Sequence, residues 1–168
     1  MLTLRQAEPA DTPLILAYIR ELALYERAPE QAVATEPDLQ AALFGARPYA
    51  WVLLAEWDGQ PAGFALWFYS FSTWAGRPGL YLEDLFVRPE FRGHGLGKAL
   101  LKRLAAIALE QGCTRYQWSV LDWNQPSLDF YESQGAKVLR EWLTCRVEGE
   151  ALEKLAATSL PGPSGLRA

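Results

Sequence analysis

The stretch Tyr81-Leu-Glu-Asp-Leu-Phe-Val87, continued by Arg88-Pro-Glu-Phe-Arg-Gly-His-Gly-Leu-Gly-Lys98, decides the fold of this chain. The first segment is rich in aliphatic and aromatic residues, and Pro89 ends it because proline cannot donate a hydrogen bond to a strand ladder. After the glycines, apolar residues recur at helical spacing as far as Leu109, and Gly112 is placed to end that helix. The pattern predicts a strand, a glycine-rich loop and a helix in succession.

The loop between this strand and this helix is suited to bind an anion. The first backbone N–H groups of a helix have no partner within the helix, and they carry the positive end of its dipole. Gly93, Gly95 and Gly97 have no Cβ atoms that would shield those groups. Arg92 and Lys98 flank the loop, and three further basic residues follow closely in sequence: Arg88, Lys102 and Arg103. These features predict a binding site for a phosphate or a pyrophosphate at residues 92–98, the anion seat.

The spacing of the glycines argues against two common phosphate-binding motifs. A P-loop reads G-x-x-x-x-G-K-[ST], whereas here three residues separate Gly93 from Gly97, and Ala99 stands where the hydroxyl is needed. The dinucleotide-binding fingerprint fails as well, because its third glycine would fall one position later. The alternative to anion binding is a purely structural role, in which the glycines form a tight turn beside a solvated basic helix face. Arg92 and the preceding strand disfavour this alternative.

At these residues the chain resembles the GNAT superfamily of N-acetyltransferases. Arg92-Gly-His-Gly-Leu-Gly97 matches the Arg/Gln-x-x-Gly-x-Gly/Ala signature with which that family binds the pyrophosphate of acetyl-coenzyme A. Four stretches carry a narrower resemblance, to the diamine (spermidine/spermine) and thialysine acetyltransferases: Glu21-Leu-Ala-Leu-Tyr-Glu26, Tyr81–Val87, Asp122-Trp-Asn-Gln-Pro-Ser127 and Phe130-Tyr131. The resemblance covers nearly the whole chain and implies an α/β acyl-CoA N-acyltransferase fold, with a mixed, mostly antiparallel sheet flanked by helices.

The resemblance implies direct transfer of an acetyl group from acetyl-CoA to a primary amine of a small cationic substrate, such as a polyamine, a diamine or thialysine. Acetyl-CoA is the expected cosubstrate, and no metal is expected. Backbone N–H groups near Phe86 and Val87 would polarise the thioester carbonyl. The residues that the resemblance assigns to the coenzyme are Leu85, Phe86, Val87, Arg92, Gly93, His94, Gly95, Leu96, Gly97, Lys98, Asn124, Pro126, Ser127 and Tyr131.

Acetyl transfer to an amine requires a base and an acid. An alkylamine with a pKa near about 10 is mostly protonated at neutral pH, so a proton must leave before attack. Strand alternation places Glu83 and Asp84 on opposite faces, and the resemblance selects Glu83 as the base, acting through water. Salt bridges at a strand end would explain both carboxylates as well. Tyr131 corresponds to the family's general acid, and a buried aromatic pair with Phe130 is the alternative.

The resemblance also implies an amine-binding side built from Tyr25, Glu26, Trp74, Glu83 and Asp84. Carboxylates attract a cation and an aromatic face adds cation–π binding, although a solvated acidic helix end explains Glu26 equally well. The chain departs from the animal polyamine enzymes, because Leu24 replaces a lysine and the segment 135–142 is shorter. Thialysine or another small amine therefore stays open, and a homodimer is implied.

Length, composition and charge limit the number of domains and the kinds of partner that the chain can have. A chain of 168 residues that is 50% hydrophobic predicts one domain, residues 1–158, with a flexible tail over 159–168. A formal net charge of −4 argues against nucleic acid as a partner and suits a cationic substrate. Cys113, Cys145 and the single histidine, His94, have neither metal-ligand spacing nor a catalytic context. Without a signal sequence or an apolar membrane span, a cytoplasmic protein with free thiols is expected, with no membrane partner.

Periodicity and turn residues predict the element order β-α-α-β-β-β-α-β-α-β, followed by a short helix. Strands are predicted at 2–6, 49–57, 62–71, 80–87, 115–121 and 139–147. Helices are predicted at 12–25, 35–44, 98–109, 124–134 and 149–157. Asp58-Gly59 predicts a tight hairpin between the second and third strands.

Two other functions fit the same residues. The chain could acetylate an amino-acid or protein amine, or it could be a coenzyme A-binding sensor or scaffold without catalysis. The presence of both Glu83 and Tyr131 argues against the second alternative.

Overall fold

The structure is a computed structural model, and it describes residues 1–157 of the chain. The chain divides into two compact units, Met1–Ser127 and the segment that begins at Leu128. The tail predicted at 159–168 lies outside the described residues. Within residues 1–157, every helix is too short or too polar to cross a membrane.

One five-stranded sheet, in the order β1-β2-β3-β4-β5, forms the centre of the first unit. The first three strand pairs are antiparallel and the β4–β5 pair is parallel. The predicted mixed, mostly antiparallel sheet is therefore confirmed. The strands are β1 Leu2–Gln6, β2 Trp51–Trp57, β3 Gln60–Ser72, β4 Arg77–Val87 and β5 Tyr116–Trp118.

Within residues 1–157, five α-helices accompany the strands, close to the predicted positions. They are α1 Thr12–Tyr25, α2 Glu36–Phe44, α3 Leu96–Glu110, α4 Gln125–Ser133 and α5 Gly149–Ala157. Thr35 starts α2 with a capping box, because its hydroxyl accepts from the N–H of Asp38 at 3.4 Å while the Asp38 carboxylate accepts from the N–H of Thr35 at 2.9 Å. The predicted hairpin is also present, with Asp58 and Gly59 at φ values of 51° and 78°.

The main core lies between α1, α2 and one face of the sheet. Tyr18 stacks on Phe64 at a centroid distance of 5.3 Å, and both side chains are fully buried. Burying an apolar side chain such as that of Phe64 contributes roughly 1.5–3 kcal/mol. The buried members of this core are Ile15, Tyr18, Leu43, Val52, Leu54, Phe64, Leu66 and Phe86.

The opposite face of the sheet is formed by the residues that alternate with these. Leu53 and Ala65 lie between core members on β2 and β3, so their side chains point away from α1. Helix α3 packs on β2, β3 and β4 and buries Leu100 and Leu104 completely, one turn apart. The start of α3, where the glycine loop ends, is thereby fixed against the sheet.

Two strand predictions are corrected. The strand predicted at 115–121 pairs only over Tyr116–Trp118, because the chain leaves the sheet after Trp118. The strand predicted at 139–147 is wrong, since no residue of that segment is in a strand. Its large apolar residues follow no two-residue alternation, and Trp142 and Leu143 are exposed.

Gly63 permits the close approach of β3 and β4 beside the loop. It lies opposite Val87 in the register, and a Cβ at this position would overlap the carbonyl oxygen of Phe86. We expect Gly63→Ala to destabilise the fold by about 1–3 kcal/mol, measured by thermal or denaturant unfolding. Gln60→Ala, at an exposed position of the same strand, is the control and should change stability little. Equal stability of the two variants would contradict this packing.

Candidate functional site

The loop between β4 and α3 has the open backbone that its glycines predict. Gly93 and Gly95 adopt left-handed conformations with φ values of 81° and 82°. A Cβ at either position would meet no atom within 4 Å, so the space beside the loop is empty of protein. A side chain there would be strained and would occupy the space in which a ligand could approach the backbone.

The first amide groups of helix α3 have no hydrogen-bond acceptor among the described residues. Its first backbone hydrogen bond runs from Ala99 N–H to the Gly95 carbonyl at 2.9 Å, so the N–H groups of residues 96–98 precede the helical ladder. Gly95 provides no side-chain cap. Leu96 is 1% exposed and holds this end of the helix in the core, while Lys98 stays exposed. The predicted anion seat is therefore open and backed by a rigid helix.

Arg92 is held at the edge of the seat by two kinds of contact. Its Nε donates to the carbonyl of Val87 at 3.0 Å. Its guanidinium lies over the rings of Tyr25 and Phe86, at 5.0 and 5.9 Å from the ring centroids. The two terminal nitrogens of Arg92 make no hydrogen bond among the described residues, so they can serve an anion.

The other nearby arginines are engaged elsewhere, which narrows the predicted basic cluster. Arg88 makes a bidentate ion pair with Glu21, at 2.7 and 2.9 Å, and lies over the ring of Tyr18. Arg103 pairs with Glu110 at 2.8 Å, toward the far end of α3. Of the arginines in this cluster, Arg92 alone makes no ion pair among the described residues.

His94 contacts both β2 and the backbone of its own loop. Its imidazole lies 4.8 Å from the ring of Trp57, and its Nδ1 lies 3.1 Å from the Arg92 carbonyl and 3.3 Å from that of Phe91. Two carbonyl acceptors require a proton on Nδ1, so the imidazole donates to the backbone. The contact with Trp57 was not foreseen, since nothing local in the sequence links β2 to the loop.

Strand β5 pairs with only the middle of β4. In the described part of the chain, β5 pairs with β4 at Leu80, Tyr81 and Leu82 and nowhere beyond. Residues 83–87 of β4 therefore have a strand neighbour on the β3 side alone. Leu85, Phe86 and Val87, which the sequence assigned to the coenzyme, line this one-sided edge. An extended ligand can hydrogen-bond to such an edge as an added strand would.

A β-bulge changes the prediction for the two acidic residues of β4. Asp84 pairs with Leu66 and Leu82 pairs with Trp67, so Glu83 is an extra residue between them. The regular alternation used to place the two carboxylates on opposite faces is interrupted at this point. Asp84 shares the α1 face with Phe86 and is half-buried, whereas Glu83 is exposed. No feature of the sequence signals this bulge.

Asp84 has the most perturbed carboxyl of the site. Burial, together with the negative charges of Glu83 and Glu26, raises the pKa of Asp84 to about 7. Burial also raises the pKa of Glu26, which follows the last residue of α1. The arrangement forms an acidic cluster, Glu26, Glu83 and Asp84, that can accept a proton at neutral pH or attract a cation.

The end of α1 contacts both the loop that follows β4 and the loop that follows β5. The hydroxyl of Tyr25 donates to Oδ1 of Asn124 at 3.1 Å, while its ring lies under Arg92. Asn124 is 6% exposed, and its Oδ1 also accepts from the N–H of Ser127 at 3.4 Å. Tyr25, assigned from the sequence to the amine, thus contacts two residues assigned to the coenzyme.

The structure does not bring Trp74 to this cluster. Trp74 lies in the turn before β4 and is 94% exposed. Since a strand rises about 3.3 Å per residue, the stretch of β4 from Arg77 to Asp84 is roughly 23 Å long. Within one chain, Trp74 is therefore remote from Asp84.

Tyr131 belongs to the second unit, on the part of α4 that follows Ser127. Its side chain is half-buried and lies 5.4 Å from the ring of Phe130, the aromatic pair that the sequence offered as an alternative to catalysis. Pro126 is exposed at the start of α4.

Comparison with known proteins finds extensive similarity. Residues 16–136 match the Acetyltransferase (GNAT) family. The chain is 42% identical to a thialysine N-epsilon-acetyltransferase of Bos taurus, over 91% of this chain and 96% of that protein. It is 32% identical to an L-ornithine N5-acetyltransferase of Arabidopsis thaliana, over 90% and 86%. A solved integron cassette protein from V. cholerae superposes with a TM-score of 0.79 at 30% identity, covering 94% of this chain and 98% of that one.

The raised pKa of Asp84 predicts how stability depends on pH. Its ordinary value is 3.8 and its value in the fold is about 7, so the folded protein binds the extra proton between those two pH values. The destabilisation by Asp84 therefore grows as pH rises from about 4 and is complete above about 7. We expect Asp84→Asn to melt higher than the wild-type chain at pH 8, and the difference to shrink toward pH 5.

The control for this measurement is Asp122→Asn, the same chemical change at an exposed aspartate. Its melting temperature should keep a constant offset from the wild-type value at every pH. A pH-independent offset for Asp84→Asn as well would contradict the raised pKa.

Proposed function

Because the chain belongs to the acetyltransferase (GNAT) family, we propose that it moves the acetyl group of acetyl-CoA directly to a primary amine of a small cationic substrate. It is an acetyl-CoA-dependent N-acetyltransferase. The observation that carries the proposal about the site is the open amide seat at the start of α3, on the loop that leaves the strand bearing Asp84. One strand and its loop thus supply an anion site and a proton acceptor.

The residues of the loop fit the pyrophosphate of the coenzyme. The N–H groups of residues 96–98 donate from the helix start, and Gly93 and Gly95 leave room for the phosphates to approach. The terminal nitrogens of Arg92 and the ammonium of Lys98 add charge at the rim. The one-sided edge of β4 supports binding of the amide-containing arm. Acetyl-CoA supplies the activated thioester, and its thiolate leaves.

The carboxylates at the bulge serve as the proton acceptor in this proposal. Glu83 is exposed, which supports the proton relay through water that the resemblance implies. Asp84, with its pKa at about 7, is matched to accept a proton at neutral pH. Once the ammonium has lost its proton, the amine nitrogen attacks the thioester carbon, and N–H groups near Phe86 and Val87 stabilise the oxyanion.

Tyr131 supplies the proton that the departing thiolate takes up. A phenol with a pKa near about 10 is a weaker acid than a thiol near about 8.5, so the transfer is uphill by roughly 2 kcal/mol in water. The site must narrow that gap by stabilising the phenolate or the thiol. The half-buried position of the Tyr131 side chain supports such a controlled environment.

The acidic cluster supports a cationic substrate. Glu26, Glu83 and Asp84 carry charge of one sign within reach of one another, since the first two raise the pKa of the third. An ammonium group placed among them would relieve that repulsion. The names of the relatives support small amine acceptors, among them thialysine and ornithine.

The domain organisation, the oligomeric state and the location of the protein are three further proposals, each with its own support. The family match at residues 16–136 continues past Ser127 into the second compact unit, which supports one catalytic domain over 1–158. Phe71 and Trp74, exposed on the β3–β4 hairpin, support a homodimer contact. Cys113 and Cys145 are free thiols, which supports a reducing, cytoplasmic location.

Purified protein should release coenzyme A from acetyl-CoA when it is given thialysine, ornithine or a short diamine. We expect a small diamino compound to be the best acceptor, because a second positive charge can pair with the acidic cluster. The rate of coenzyme A release with a panel of these amines and of uncharged amines measures the preference among acceptors. Mass spectrometry identifies the acetylated nitrogen. Coenzyme binding without turnover on any amine would instead favour a sensor.

Tyr131→Phe and Arg92→Ala should affect different kinetic constants. Loss of the general acid should lower kcat by roughly 100-fold or more and leave coenzyme binding nearly unchanged. Loss of the Arg92 guanidinium should raise the KM for acetyl-CoA by roughly 10–100-fold with a smaller effect on kcat. Steady-state kinetics at varied acetyl-CoA measures both. Equal effects of the two substitutions on both constants would contradict the assigned roles.

A further inference from the structure

We propose that Tyr25 is a positioning residue for the coenzyme, holding Arg92 with its ring and Asn124 with its hydroxyl. Both side chains are those assigned to the coenzyme, and they lie on different loops of the first unit. The inference rests on the proposed function, because it concerns how the acetyl-CoA site is prepared. It moves Tyr25 from the amine side of the site to the coenzyme side.

The ring of Tyr25 restricts the side chain of Arg92. Arg92 is an exposed residue with a long side chain, and such a side chain loses much rotamer freedom when it binds a ligand. The hydrogen bond from Nε to the Val87 carbonyl, at 3.0 Å, fixes only that nitrogen of Arg92. The centroid of the Tyr25 ring lies 5.0 Å from Cζ, the central carbon of the guanidinium. The terminal nitrogens are thus directed before any ligand arrives, which lowers the entropy lost on binding.

The hydroxyl of Tyr25 fixes the second coenzyme residue. It donates to Oδ1 of Asn124 at 3.1 Å, and the same oxygen accepts the N–H of Ser127 at 3.4 Å. With its carbonyl oxygen doubly engaged, Asn124 has its amide N–H₂ group turned away from both donors. That group is the part of the side chain left to contact a ligand.

A second contact holds the same two segments together. The guanidinium of Arg27 lies 4.5 Å from the ring centroid of Trp123. Tyr25, the last residue of α1, and Arg27 just beyond it are therefore attached to the loop that follows β5, and Tyr25 also contacts Arg92. The end of α1 thereby connects the loop that follows β4 to the loop that follows β5.

Adjacent residues at the end of α1 therefore have different roles. Tyr25 has its ring and its hydroxyl occupied by Arg92 and Asn124, so it offers little to an amine. Glu26 instead raises the pKa of Asp84, which places its charge with the acidic cluster. The helix end thus orients the coenzyme contacts with one residue and the amine contacts with the next.

The test compares Tyr25→Phe with Tyr25→Leu. The phenylalanine keeps the ring under Arg92 and loses the hydroxyl, whereas the leucine loses both. We expect the Kd for coenzyme A, measured by calorimetry, to rise roughly 2–5-fold for Tyr25→Phe and roughly 10-fold for Tyr25→Leu. The KM for acetyl-CoA should follow the Kd, while kcat at saturating acetyl-CoA and the KM for the amine stay within about twofold.

Coupling to Arg92 provides the decisive measurement. In an Arg92→Ala background the ring has no guanidinium to support, so Tyr25→Leu should raise the Kd no more than Tyr25→Phe does. Tyr49→Leu is the matched control at an exposed tyrosine, 80% accessible, and should leave the Kd unchanged. Melting temperatures of all variants separate loss of folded protein from loss of affinity.

Three results would overturn the inference while the proposed function stands. These are an unchanged Kd in Tyr25→Leu, a higher KM for the amine in place of that for acetyl-CoA, or an equal penalty of Tyr25→Leu with and without Arg92. If the wild-type protein neither binds coenzyme A nor transfers acetyl groups, the proposed function itself fails, and the assignment of Tyr25 fails with it.

Discussion

The interrupted pairing of β4 is the constraint on which the rest of the site depends. A strand inside a sheet normally has its backbone N–H and C=O groups paired on both sides, and unpaired buried groups are costly. Here β5 accompanies β4 only from Leu80 to Leu82, and a bulge at Glu83 interrupts the register on the β3 side directly afterward. Both irregularities fall at the same point of the strand. A regular sheet is thereby converted into a one-sided edge followed by a glycine loop.

Charges of opposite sign lie on the two sides of the point where β4 ends, within a short length of chain. Before the strand ends, the acidic cluster concentrates negative charge near Asp84. After it ends, the helix dipole, Arg92 and Lys98 concentrate positive charge. Tyr25 stands between the two regions, with its ring on Arg92, while its neighbour Glu26 acts on Asp84. An anionic coenzyme and a cationic amine are therefore attracted to adjacent but distinct places.

Local pattern predicted the elements well because most of them are set by local chemistry. Glycine spacing located the loop, and helical periodicity with Gly112 located α3, since each signal acts within a few residues. The bulge at Glu83, the early end of β5 and the contact of Tyr25 with Asn124 depend on residues distant in sequence. Strand alternation consequently assigned Glu83 and Asp84 to faces that the bulge rearranges. The segment 139–147 was overpredicted because apolar content alone does not supply a partner strand.

Asp84 shows why such a site is not optimised for stability. A half-buried carboxyl beside two like charges favours its protonated form, so the folded protein is less stable wherever Asp84 is ionised. An asparagine would fit the same space without that penalty, yet it could not accept a proton. The carboxyl is tolerated because the large core between α1, α2 and the sheet offsets its cost. The same reasoning applies to Gly93 and Gly95, whose open backbone adds flexibility to the unfolded chain but leaves the amides of α3 accessible. Residues that weaken the fold are thus concentrated where the chemistry requires them.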